Sequence, residues 1–149
     1  MKITPPQIAA AEAALALIVP MTQPADVVLS RYYRAHPQLG QHDRAFIAET
    51  VFGVLRRRYG IEHYTGADTP RRLLLAYLNR IEGVSLRQLE PLLGNDDARW
   101  AAALKARTED APPLHVAAAL PQWLTTMLAA EMPADEILAL GRALQQPAP

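Results

Sequence analysis

The chain has 149 residues, a length suited to one domain that buries about 70% of the surface its unfolded form exposes. Half of it is apolar, rich in alanine and poor in aromatics, which favours helix over sheet, and it has no cysteine, which excludes disulfides, thiolate metal sites and thiol nucleophiles and suits a reducing cytoplasm. Formal charge is zero, yet eight arginines stand against four acids between Leu29 and Arg72 and five basic residues against nine acids from Glu82 onward, so the fold either presents one basic face or cancels the two halves against each other.

Lys2 and the apolar run from Ala13 to Val19 resemble a secretion signal, but Pro5, Pro6 and Glu12 interrupt it, and a cytoplasmic helix is expected instead. No window approaches the roughly 20 apolar residues of a membrane-spanning helix. Thr4 is expected to cap this first helix, which tolerates Pro5 and Pro6 in its opening turn, where the missing amide hydrogens have no partner, and which ends at Pro20. Pro24 opens a second helix to Ala35 or His36, stopped by the His36-Pro37 pair because the residue before proline is pushed out of the helical region. On it Val28, Leu29 and Tyr32 share a face, and Arg31 and Arg34 stand one turn apart.

Gln41 starts a third helix in which Ile47, Val51, Val54 and Leu55 form an apolar stripe flanked by Phe46 and Phe52. A helix so apolar around its circumference belongs in the middle of a bundle, and Gly53 lets a neighbour approach closely. It ends in Arg56, Arg57 and Arg58 or runs on towards Tyr64 before Gly66 breaks it. Thr69 caps a fourth helix beginning at Pro70 and closed by Gly83, and Ser85 caps a short one through Leu93. Asn95 or Asp96 caps a segment to Arg107, a loop covers Thr108 to Pro113, Pro121 begins a helix with Trp123 and Leu128, and Pro133 begins the last, from about Ala134 to Leu144. The expectation is an all-α, compact bundle of about seven or eight helices.

Among features that bear on function, the arginine triplet is the sharpest. Guanidinium groups form two parallel bonds to phosphate and stack on bases. Cations at a helix C-terminus also complement its dipole by about 0.3 to 1 kcal/mol each, but consecutive side chains fan out by about 100° and cannot all serve one end. Arg31 and Arg34, interleaved with Tyr32 and Tyr33, have the make-up of a second stacking and phosphate surface, although Tyr32 belongs to the apolar stripe and so to the core. Asp43 and Arg44 suit a structural role in a first turn, and the four histidines lack the spacing of a metal site. Gly-rich phosphate loops and nucleophile elbows are absent. The run from Ser85 to Arg107 has the rhythm of a helix-turn-helix, but its second helix opens on Asp96 and Asp97, which repel phosphate.

The block YYRAHPQLGQHDRAFIAETVFGVLRRR, the segment LPQWL at Leu120 to Leu124 and the closing ALQQPAP together resemble the NusB-like N-terminal domain of the RsmB group of Sun-family ribosomal RNA 5-methylcytosine methyltransferases. That resemblance covers nearly the whole chain and implies an RNA-binding domain over residues 1–144, with residues 145–149 starting a linker to a methyltransferase domain. It implies ribosomal RNA and that catalytic domain as partners, S-adenosylmethionine as the cofactor of the full enzyme, and Arg31, Arg34, Arg56, Arg57 and Arg58 as the RNA-contacting residues. The family attacks cytosine with cysteine, so a chain without one has no catalytic residue and holds no cofactor or metal of its own in this reading. Single-domain NusB antitermination factors, or a helical domain that docks protein, are the alternative.

Overall fold

The computed structural model describes residues 2–104, 107 and 111–149. Among them every regular element is helical, and the whole is a compact bundle. Helix α1 (Pro5–Ile18) begins at Thr4, whose hydroxyl accepts from the Gln7 amide while the Gln7 side chain accepts from the Thr4 amide, a reciprocal cap that replaces two lost helical bonds. Helix α2 (Ala25–Ala35) buries Leu29 and Tyr32, and α3 (Gln41–Thr65) ends at Gly66. Helix α4 (Pro70–Arg80) is capped by Thr69 and buries six consecutive residues from Leu73 to Leu78. Ser85 starts α5 (Leu86–Leu89), which tightens to a 3-10 turn over Glu90–Leu92 where Pro91 has no amide hydrogen to give.

Helix α6 (Asn95–Leu104) follows; of its expected extension to Arg107, residues 105 and 106 lie outside the described residues, and Arg107 itself is not helical. Part of the expected loop, 108–110, lies outside them too. A short α7 (Leu114–Ala118) was not foreseen, and it raises the count to nine α-helices among the described residues against the seven or eight expected. Helices α8 (Gln122–Ala129) and α9 (Ala134–Leu144) start just after Pro121 and Pro133 as anticipated.

Helix α1 packs against α2, α3 and α4, and α3 against α4, so the main core is built from Ile8, Leu15, Ile18, Ile47, Val51, Val54, Leu74 and Leu78, all nearly or wholly inaccessible. Gly53 does admit a neighbour: a Cβ there would lie 2.2 Å from the Tyr77 ring of α4. A second, smaller cluster of Ala118, Leu120 and Ile137 holds α7, α8 and α9 together. It joins the main body through α3 and α7, where the Tyr59 and His115 rings meet edge-on at 6.3 Å between centroids.

Candidate nucleic-acid interface

The arginine triplet does not end a helix. Helix α3 continues from Arg58 to Thr65, and its last carbonyls are served by Arg107, whose Nη1 donates to the Thr65 oxygen at 3.0 Å. The dipole of α3, which falls off within the final turn, therefore does not explain Arg56 or Arg57. The three side chains diverge as the helical angle requires. Arg58 turns towards α1, donating from Nε to Glu62 Oε1 at 2.7 Å and from Nη1 to the Val19 oxygen at 3.4 Å. It is half-buried and ties α3 to the end of α1.

Arg56 and Arg57 turn the other way and are exposed, with no ion pair among the described residues. Both border a depression of about 330 Å³ closed by Tyr77, Glu82 and the chain around Gln145. Arg57 also reaches a larger groove of about 730 Å³ between α3, α4, α7 and α9, which Arg80 and Arg142 line as well. Tyr77 is 6% exposed and its hydroxyl donates to Glu82 Oε1 at 2.6 Å. Burial first, then that bond and the Glu82 charge, push its pKa up to about 12, while Arg56 and Arg57 act in the opposite sense.

Arg31 and Arg34 are exposed on α2 and line neither cavity. Arg31 donates to Gln23 Oε1 at 2.9 Å, a neutral partner that leaves its charge intact, and Arg34 has no ion pair among the described residues. The tyrosines between them belong to the fold. Tyr32 is buried and stacks on His36 at 4.1 Å between centroids, and the Tyr33 hydroxyl donates to the Arg44 oxygen at 2.8 Å. Burial raises the pKa of both. Two of the five chosen arginines thus share one concave surface, two share the exposed side of α2, and Arg58 is engaged within the protein.

Other charged residues serve packing. Arg71 donates to Asp97 Oδ2 at 2.6 Å and to Glu12 Oε2 at 2.9 Å, joining α6, α4 and α1, and Arg72 lies 4.0 Å from the same aspartate with its guanidinium over the Trp100 ring. The halves of the chain therefore do cancel at this point, and Asp97, in the first turn of α6, anchors that helix to α4. Asp43 accepts from Gln7 Nε2 and Arg44 donates to the Leu39 oxygen, both at the start of α3. The described residues contain no group of side chains suited to a metal ion, and no helix among them is long and apolar enough to cross a membrane.

No protein-family model, curated protein or solved structure matches this chain. Sequence reasoning missed Arg80 and Arg142, which stand in the last turns of α4 and α9 and meet Arg57 only through the fold. Their place at helix C-termini reads as dipole complementation along the sequence, and nothing in local spacing links them to the triplet.

Proposed function

We propose that the chain is a NusB-like accessory domain that helps an S-adenosylmethionine-dependent small-subunit ribosomal RNA cytosine-5 methyltransferase engage its RNA. The cysteine-based chemistry and the cofactor belong to a separate catalytic domain in this reading, since the chain has no cysteine. The observation that carries it is the exposure of Arg56 and Arg57 in mid-helix, without a carboxylate partner among the described residues and without a helix end to serve. Arg31 and Arg34 extend the contact along α2, and Arg58 keeps α3 in place. The test is titration with a ribosomal RNA hairpin at several salt concentrations. Each phosphate contact adds about −0.7 to the slope of log affinity on log salt for single strands, so the R56Q/R57Q double variant flattens the slope by about 1.4. Binding that ignores salt, or that the double variant leaves untouched, defeats the assignment.

A protein-docking role is the second reading. It is favoured by Trp123 and Met127, 65% and 64% exposed and one turn apart on α8. If it holds, Trp123→Ala abolishes association with the catalytic domain while RNA binding stays as it was.

A further inference from the structure

Between His115 and Arg142 the chain carries no lysine or arginine. Its three acids there, Glu131, Asp135 and Glu136, are exposed and form no ion pair among the described residues. Asp135 and Glu136 stand in the first turn of α9, where they complement the dipole of that helix. Glu131 has no such reason. It follows the end of α8, where its amide donates to the Leu128 oxygen and the partial charge of the helix end is itself negative. The backbone stays helical at Ala130, so steps of four residues carry exposed Trp123 to exposed Met127 and on to Glu131 along one side. Helix α9 has the same make-up in reverse order, with Glu136, Leu140 and Leu144 four residues apart and all exposed. Each helix thus presents apolar side chains to solvent, with uncompensated negative charge at the turn that joins the two.

These features specify complementary chemistry. Tryptophan is enriched at the energetic centres of protein interfaces, and methionine adapts its shape to a partner. The acids beside them repel RNA and anionic lipid, both of which are negatively charged. What fits is a body that is apolar on one side and cationic towards one end. We propose that α8 and its turn to α9 dock a basic amphipathic helix of a partner protein. Apolar side chains of that helix, at three- and four-residue spacing, lie on Trp123 and Met127, and its lysines or arginines pair with Glu131, Asp135 and Glu136. Such docking rests on the protein-docking reading and gives the partner its chemistry. It is independent of the RNA reading, since Trp123, Met127 and Glu131 line neither cavity that Arg57 borders.

The experiment is fluorescence anisotropy of the full chain with a labelled leucine and lysine peptide of about five helical turns, apolar on one side and with its lysines towards one end. A second peptide has glutamate in place of lysine. The lysine peptide is expected to bind about tenfold or more tightly than the glutamate peptide, an advantage that shrinks as salt rises. Trp123→Ala weakens the lysine peptide about tenfold or more, the scale of an interface hot spot. E131Q/D135N/E136Q weakens it as well and flattens its salt dependence. Leu17→Ser, at an exposed apolar residue of α1, leaves binding unchanged and so separates a defined surface from general adhesion. All the replaced side chains are exposed, and circular dichroism confirms that the variants are folded. The proposal is overturned if the two peptides bind alike, if folded Trp123→Ala or the triple variant binds as the parent chain does, or if Leu17→Ser weakens binding as much as Trp123→Ala. It is also overturned if sedimentation shows a dimer that Trp123→Ala breaks, because the occupant is then a second copy of the chain. If the lysine peptide fails to bind while Trp123→Ala still releases a separate catalytic domain, the docking reading stands and the basic helix falls.

Discussion

The same chemical change, glycine to alanine within a helix, should have opposite effects at Gly60 and Gly141. In both cases alanine restricts the unfolded chain and favours the helix, a gain of up to about 1 kcal/mol. At Gly60 a Cβ would have nothing within 4 Å, so the gain is realised and the melting temperature rises by about 2–4 °C. At Gly141 it would stand 2.1 Å from the Ala118 carbonyl oxygen and 2.8 Å from that residue's Cα and carbonyl carbon. Those are backbone atoms of α7, 1% exposed and unable to rotate away, so α7 and α9 must part by about 1 Å. Overpacking costs about 1–3 kcal/mol, here at the upper end, and after the propensity gain the net loss is about 1–2 kcal/mol, or about 3–6 °C. Parallel thermal melts followed by circular dichroism measure both shifts. A Gly141→Ala chain as stable as the parent, or two variants that move in the same direction, would refute the close α7 to α9 contact on which the large groove depends.

Two further outcomes follow from the polar contacts. Asp97→Asn keeps the shape of the α6 anchor but removes the charge that Arg71 and Arg72 share; with side chains 28% and 19% exposed in the Arg71 pair, urea unfolding should show a loss of about 1–2 kcal/mol, whereas Asp96→Asn, on an exposed pair with Arg99, costs less than about 0.5 kcal/mol. Tyr77 is neutral in the fold up to about pH 12 against an ordinary value of 10.0, so the folded state holds its proton where the unfolded state has lost it. Its contribution is therefore complete below pH 10.0 and drains away as pH rises towards about 12. Tyr77→Phe should make the alkaline fall in stability shallower in urea titrations across that range without abolishing it, because burial also raises Tyr32 and Tyr33. An unchanged slope contradicts the burial of that phenol.

Helix starts were the most legible part of the chain because their causes are local. Thr4, Thr69 and Ser85 each accept from the amide three residues on, and the prolines that follow Thr4 and Thr69 fit a first turn, where a missing amide hydrogen costs no helical bond. The all-helical class followed from composition and from these stops. The end of α3 was harder to place: a run of charge after an apolar stripe resembles a terminus, yet Gly66, not the arginines, breaks the helix. Helix α7 was invisible because five residues do not form a stable helix alone. It exists through its packing on α9, where Gly141 makes room for it. The groove was hidden for the same kind of reason. Its cations lie at positions 57, 80 and 142, and only the crossing of α3, α4 and α9 brings them to one cavity.

A zero net charge is compatible with exposed arginines because, among the described residues, the ion pairs of carboxylates involve other cations than Arg56 and Arg57. Glu12 and Asp97 hold Arg71, Glu62 holds Arg58, and Asp96 holds Arg99, all at helix contacts or on the outer surface. Glu82 borders the smaller depression with Arg56 and Arg57, and one of its oxygens is taken by the Tyr77 hydroxyl. The pairing secures α1, α4 and α6 and leaves Arg57 and Arg142 exposed on the lining of one groove.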